Sequence, residues 1–168
     1  MNIILNTELE KYAYISDDHL YRYSLWRRWG ESSKYACFIG LNPSVADGYI
    51  DDPTLRRCID FSKSFGYDAV CLINLFAYRA TNPQEMKKAS EPVGINNDDV
   101  IKWITMHSEI NIAAWGTLGS FKNRNDEVKS MIKTLYYLKL TKNNHPAHPL
   151  YLKKDLKQFK LSSEEKEN

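Results

Sequence analysis

Two short apolar runs separated by a helical pattern constrain the fold of this chain more than any other feature. The first run, residues 36–39, is followed by Gly40, Asn42 and Pro43, which end a strand and turn the chain. The second run, residues 69–73, ends at Asn74. A continuous apolar run between turn signals is typical of a buried strand in a parallel sheet. The pattern therefore predicts a β-α-β unit.

The segment between the two runs carries clear signals for the start and end of a helix. Asp52 and Pro53 fit an N-cap residue followed by proline at the first helical position. Leu55 and Cys58 then recur at helical spacing, and Gly66 fits the position just after a helix. These signals predict a helix that begins at Pro53 and ends before Gly66.

The rest of the chain continues the alternation of strands and helices. Aromatic and polar residues alternate around a turn at 12–29, which predicts a β-hairpin. Further strands are predicted at 34–41, 111–115 and 136–140, and further helices at 83–89, from Asn96 or Asn97, at 128–135 and at 152–159. This order predicts a three-layer α/β/α sandwich with a mostly parallel central sheet and an N-terminal β-hairpin.

Composition limits the classes of protein to which the chain can belong. Its 168 residues predict one domain, 1–168, with a core at about 12–160 and a charged tail at 161–168. The net charge of +2 does not impose a nucleic-acid partner, and no apolar run reaches membrane-spanning length. The three cysteines lack paired spacing and are predicted to be buried thiols of a cytoplasmic protein. We predict neither a metal nor a cofactor, and the sequence assigns no oligomeric state.

Polar side chains collect at the ends of the predicted strands, in segments 42–51, 74–79, 115–117 and 145–148. Ligands bind at the carboxyl ends of strands in open α/β sheets, so these segments predict a single pocket. Four polar residues of the first segment have no evident structural duty: Asn42, Ser44, Asp47 and Asp51.

Asn74 is the most specific candidate for recognition of a ligand. A carboxamide at the end of a buried strand offers a donor and an acceptor to a planar amide-like edge, such as that of a pyrimidine. The alternative is an asparagine that ties down its own loop. His145 and His148 are each followed by proline, and stiff loops suit a neutral imidazole held against a ligand. For these histidines the alternatives are a surface turn and a partly buried cap.

Short motifs in these segments resemble the uracil-DNA glycosylase superfamily. The loop 40–44 (Gly-Leu-Asn-Pro-Ser) looks like its first motif, the strand end at Asn74 looks like the position that reads the base, and 145–147 (His-Pro-Ala) looks like a late motif. Over about 20–152 the chain is similar to a bacterial and phage family, domain of unknown function 1643. That similarity is carried by residues 41–47, 51–57, 74–79, 114–116 and 145–151.

The resemblance implies a protein that recognises a nucleobase, a nucleotide or nucleic acid. One interpretation is an N-glycosylase-type hydrolase, with catalytic roles for Asn42, Asp47 and His145. The other is a binding module without catalysis, which is favoured by Asn42 where active glycosylases carry aspartate. Ligand-binding residues are predicted as Ser44, Tyr49, Asp51, Asn74, Phe76, Arg79, Trp115 and His148, with Tyr49 or Phe76 stacked on the base. A third interpretation, hydrolysis or transfer on a free modified nucleotide, places Arg56, Arg57 and Arg79 on phosphates.

Overall fold

The structure is a computed structural model that describes residues 10–45 and 49–161. Within these residues the chain forms seven strands: β1 (Lys11–Ile15), β2 (Arg22–Arg28), β3 (Tyr35–Gly40), β4 (Ala69–Asn74), β5 (Ile110–Ala113), β6 (Tyr136–Tyr137) and β7 (Phe159–Lys160). The helices there are α1 (Pro53–Ser64), α2 (Pro83–Lys88), α3 (Asn97–His107) and α4 (Arg124–Met131). Two 3-10 segments span Thr117–Asn123 and Pro149–Tyr151. None of these helices is long and apolar enough to span a membrane.

The strands form one mixed sheet in the order β1-β2-β4-β3-β5-β6-β7. The pairs β4–β3, β3–β5 and β5–β6 are parallel, whereas β1–β2, β2–β4 and β6–β7 are antiparallel. The α/β class is therefore confirmed, but the sheet is mixed rather than mostly parallel. The difference arises because the N-terminal hairpin joins β4 directly and β7 closes the other edge.

Helices cover both faces of the sheet. Along β3, Cys37 and Ile39 belong to a core cluster that includes Ile101 of α3 and Val128 of α4. The alternate residues of β3 belong to a second cluster built largely against α1. Successive side chains of a strand point to opposite faces, so β3 contributes to both cores. The free cysteines Cys37, Cys58 and Cys71 are buried, as predicted.

The start and end of α1 follow the sequence signals. Asp52 is the N-cap, its Oδ1 accepts a hydrogen bond from the Leu55 N–H at 2.7 Å, and Pro53 is the first helical residue. Gly66 has a φ of +85° just beyond the helix, a conformation that glycine adopts without steric cost. The helix begins where the loop after β3 ends, which fixes its N-terminus beside the carboxyl edge of the sheet.

The predicted helix at 152–159 is wrong. Residues 152–158 are irregular, and Phe159–Lys160 forms β7, which pairs with β6. Leu152 and Leu156 nevertheless pack against the cluster beneath α1. Their four-residue spacing therefore reflects burial of an irregular segment rather than a helical turn, two patterns that apolar periodicity alone does not separate.

The order of the parallel strands creates a point where ligands bind in folds of this type. The four parallel strands follow one another along the chain as β3, β4, β5 and β6. Across the sheet they lie in the order β4, β3, β5, β6. The chain leaves β3 in one direction and returns on its other side with β5. In open α/β sheets the crevice at the carboxyl ends of two such strands is the usual site for a ligand.

Candidate functional site

A cleft of about 320 Å³ opens at this switch point. It is bounded by the loop after β3, the end of β4, the residues after β5 and the N-terminus of α1. Five of the predicted site residues line it: Asn42, Ser44, Asn74, Trp115 and His148. Residues that the sequence interpretation did not assign to the site also line it, among them Arg22, Asp52, Thr54 and Thr81.

Other predicted site residues have positions away from the cleft. Phe76 is fully buried in the core at 5.6 Å from Phe121, measured between ring centroids, so it is not exposed for stacking on a ligand. His145 lies in a tight turn, where its N–H donates to Thr141 Oγ1 at 3.2 Å. Tyr49 is 75% exposed and does not line the cleft. Asp47 lies outside the described residues.

The remaining charged candidates hold loops or face solvent. Asp51 accepts from Arg27 Nε at 2.7 Å, an ion pair that fixes the segment before α1. Arg79 donates to the backbone carbonyls of His19 and Val45 at 2.9 Å and 2.6 Å, and so bridges two loops. On α1, Arg56 is exposed and Arg57 is partly exposed, and neither lines the cleft.

Asn74 presents a carboxamide at the end of β4. The residue is 8% exposed and lines the cleft, and no other described residue makes a hydrogen bond to its side-chain amide. Its Oδ1 lies over the neighbouring strand, because a Cβ added at Gly40 would come within 2.7 Å of that oxygen. Gly40 and Asn74 are register partners in the parallel pair β3–β4. The glycine therefore provides the space that the amide occupies.

The backbone at Asn74 is held by buried polar groups. Asn97 Nδ2 donates to the carbonyls of Asn74 and Leu75, both at 3.0 Å. Arg124 Nε donates to the same Leu75 carbonyl at 2.9 Å. Arg124 is 1% exposed, and its guanidinium also pairs with Asp98 at 2.5 Å. These bonds to the strand end orient Asn74 without occupying its side chain.

The contact between Gly40 and Asn74 gives a testable prediction for stability. In Gly40→Ala the methyl group meets Asn74 Oδ1, and overpacking of this kind costs about 1–3 kcal/mol of unfolding free energy. In the Asn74→Ala background the same change is expected to cost little, since the oxygen is gone. A double-mutant cycle by urea unfolding measures this coupling. If Gly40→Ala costs the same in both backgrounds, the added methyl group does not clash with Asn74 Oδ1.

In the loop after β3, the side chain of Asn42 is hydrogen-bonded within the protein, whereas the hydroxyl of Ser44 has no hydrogen-bond partner among the described residues. Asn42 Nδ2 donates to the carbonyls of Ala80 at 2.9 Å and Pro43 at 3.1 Å, so its amide nitrogen holds the loop. Ser44 Oγ lines the cleft and is buried without a hydrogen-bond partner among the described residues. A buried hydroxyl of this kind is available to a ligand.

A charged cluster forms the wall of the cleft beside α1. Arg22 is 6% exposed, and desolvation lowers its pKa to about 10, which leaves it protonated at neutral pH. The Asp52 carboxylate opposes that shift, whereas Arg79 and Arg27 add to it. Asp52 therefore combines its role as a helix cap with an electrostatic interaction with Arg22.

His148 faces the same cluster as a neutral donor. Desolvation lowers its pKa below the ordinary value of 6.5, and Asp52 opposes this shift. Its Nδ1 accepts from the Leu150 N–H at 3.3 Å, so the neutral ring carries its proton on Nε2. Within residues 10–45 and 49–161, no three His, Cys, Asp or Glu side chains are grouped to hold a metal ion.

Together the sheet order and the cleft define an α/β protein with a partly polar cleft at a topological switch point. The chain belongs to the family described as Protein of unknown function (DUF1643), whose sequence profile matches residues 22–150. The predicted resemblance to that family is thus confirmed. No curated protein and no solved structure shows a significant match to the chain. The likeness to the uracil-DNA glycosylase superfamily stays a prediction.

Proposed function

We propose that this protein recognises a nucleobase, as part of a nucleotide or of nucleic acid, in the cleft at the switch point. The observation that carries the proposal is the Asn74 carboxamide, which is buried in the cleft and is not used by another described side chain. A fixed carboxamide can pair with the donor and acceptor on one edge of a base. The backbone bonds from Asn97 and Arg124 support a preorganised reader, because little freedom is lost when the ligand binds.

The apolar lining of the cleft supports a planar ligand. Phe38 of β3 and Trp115 after β5 line it, together with Leu72 and Ile73. Aromatic and aliphatic walls with a few placed polar groups are the usual composition of a small-molecule site. The sequence assigned stacking on the base to Tyr49 or Phe76, and neither lines the cleft. Phe38 and Trp115 do line it, but they are 1% and 2% exposed, so they form an apolar wall rather than an open stacking surface.

The finer resemblance is also part of the proposal. A three-layer sandwich like that of the uracil-DNA glycosylases is supported by helices on both faces of the sheet. The first two motifs support it too, since Gly40, Asn42, Ser44 and Asn74 border one cleft. His145 does not line that cleft, and His148 supplies an imidazole there instead. The motif at 145–147 therefore resembles the glycosylases in sequence, but its His145 does not lie in the cleft.

A second candidate function is hydrolysis of the bond between base and sugar. The observation that favours it is a carboxylate, Asp52, in the same cleft as the neutral imidazole of His148. A carboxylate can orient water and accept its proton, and the Nε2–H of His148 can stabilise charge on a departing base. Asn42 does not suit the role of base, because a carboxamide does not take up a proton.

Binding is tested first by a thermal-shift screen of nucleobases, nucleosides, nucleotides and short oligonucleotides. A ligand at about a hundred times its dissociation constant stabilises the folded protein by about 2.7 kcal/mol. Asn74→Asp is expected to weaken binding by about 1–3 kcal/mol, or to change which base is preferred, since it removes the amide donor. The exposed substitution Asn144→Asp is the control. Unchanged affinity and preference in a folded Asn74→Asp variant would assign Asn74 to loop structure instead.

A further inference from the structure

A second recess lies at the same edge of the sheet as the cleft. Residues 138–140 follow β6, which is parallel to β5, so they lie at the carboxyl edge. Residues 137–140 and 151–153, together with Leu156 and Phe159, line a groove of about 530 Å³, called here the side groove. The side groove therefore opens on the edge of the sheet where the cleft is found.

The segment that forms the side groove carries a strong local excess of positive charge. Residues 132–161 contain seven lysines and one carboxylate, Asp155, in a chain whose net charge is only +2. All seven lysines are exposed, and within residues 10–45 and 49–161 none of them forms an ion pair with a carboxylate. Two of them, Lys139 and Lys153, line the side groove itself. This surface suits an anionic partner.

Aromatic rings lie among these cations. Tyr151 is 88% exposed, and the half-exposed ring of Phe159 stacks on Tyr137 with 5.7 Å between the ring centroids. The floor is apolar, since Leu138 and Leu152 belong to the core cluster built against α1. Exposed aromatic rings beside cationic side chains are the usual composition of a site for single-stranded nucleic acid, where bases stack on the rings and the cations follow the phosphates.

We propose that the ligand is a single-stranded nucleic acid and that the side groove binds the nucleotides beside the one read in the cleft, an inference that rests on the proposed function. The two sites adjoin, because Pro149 lines the cleft and Tyr151 lines the side groove, and two residues span at most about 7 Å. A strand stacked on Tyr151, with its phosphates near Lys139 and Lys153, passes directly beside the cleft that holds Asn74.

The structure favours a single strand over a duplex or an anionic membrane. In a duplex the bases are paired and stacked on one another, so they are not open to an exposed ring such as Tyr151. Peripheral membrane binding commonly uses the apolar face of an amphipathic helix. Residues 152–158 are irregular instead, and the aromatic and apolar side chains around them line a recess.

The test measures fluorescence anisotropy of short labelled single strands of DNA and RNA, beside the duplex and competing mononucleotides. The strand is expected to bind about 5–150-fold more tightly than the matching mononucleotide, the gain from stacking one further base. Tyr151→Ala is expected to remove most of that gain, and Tyr151→Phe, which keeps the ring, to retain it. The stronger of the DNA and RNA strands identifies the source of the ligand.

The lysines are tested through the salt dependence of strand binding. The double variant Lys139→Gln with Lys153→Gln is expected to reduce the slope of log affinity against log salt by about 1.4, since each phosphate contact to a single strand contributes about 0.7. The matched control is Lys88→Gln with Lys102→Gln, two exposed lysines outside the side groove, and its slope is expected to stay unchanged.

The outcomes separate this proposal from base recognition in the cleft. Equal affinity for strand and mononucleotide, equal affinity for the duplex, or full strand affinity in both groove variants overturns the side groove and leaves base recognition standing. Binding to vesicles of equal parts phosphatidylcholine and phosphatidylserine, without binding to any strand, overturns it too. Strand binding that needs the side groove but is unchanged in Asn74→Asp supports the groove and overturns base reading by Asn74.

No binding of any base-bearing probe overturns both proposals. The substituted side chains of the side groove are exposed, so the variants are expected to fold. If they do not, the comparison of strand, duplex and mononucleotide in the unmutated protein decides the case.

Discussion

Arg124→Met is expected to lower the free energy of unfolding by about 3 kcal/mol. Arg124 is buried, and its guanidinium donates to the Leu75 carbonyl, to Asp98 and to Glu127. Breaking a buried ion pair typically costs about 3–5 kcal/mol. We expect the lower end of this range of unfolding free energy, because the side chains of Asp98 and Glu127 are 41% and 55% exposed and are hydrated when the arginine is removed.

Urea unfolding followed by circular dichroism measures this effect. Lys129→Met is the matched control, because Lys129 forms an exposed ion pair with Asp126 on the same helix. Its effect is expected to be within about 0.5 kcal/mol. Arg124→Met is also expected to loosen the strand end that carries Asn74. A variant as stable as the wild type would mean that Asn97 alone fixes that segment.

Asp52→Asn is expected to reduce release of a base by about 10²–10⁴-fold, the contribution of a general base, while ligand affinity is largely kept. Asparagine is as good an N-cap as aspartate, so the substitution removes the proton acceptor and leaves the start of α1 intact. Asp52→Ala is the structural comparison, because it removes the cap as well and costs about 1 kcal/mol of stability.

The assay is release of free base from DNA carrying uracil or a modified pyrimidine, run beside nucleosides and nucleotides. Asp47→Asn is measured in parallel, since the sequence predicts Asp47 as the residue that orients water. Full activity in Asp52→Asn together with loss in Asp47→Asn would return the role to Asp47. Tight binding with no base release from any substrate would decide for a binding module without catalysis.

The parts of the site that the sequence predicted are those set by local chemistry. Asp52 and Pro53 start α1 because capping acts within a few residues. Asn74 ends β4 because an apolar run stops there. The convergence of Asn42, Asn74 and Trp115 on one cleft followed from the rule that strand ends share an edge.

What the sequence did not predict depends on contacts between distant segments. Arg22 lies between two tyrosines, a pattern that is more typical of a half-buried hairpin than of a nucleic-acid surface, and it does not by itself predict a place in a cleft. Arg124 opens a helix of charged residues, and its bond to Leu75 spans 49 positions. Phe76 lies two residues beyond Asn74, yet it packs into the core, because β4 ends at Asn74 and the alternation of a strand no longer sets the direction of its side chain.

The strand order also has a consequence for synthesis on the ribosome. The neighbours of β4 in the sheet, β2 and β3, both precede it in the chain, so the emerging polypeptide can complete that pairing once residue 74 has left the ribosome. The donors to the strand end come later, from Asn97 and then Arg124. The scaffold beneath the cleft is therefore available early in translation, and the residue proposed to read the base is fixed only when α4 has left the ribosome.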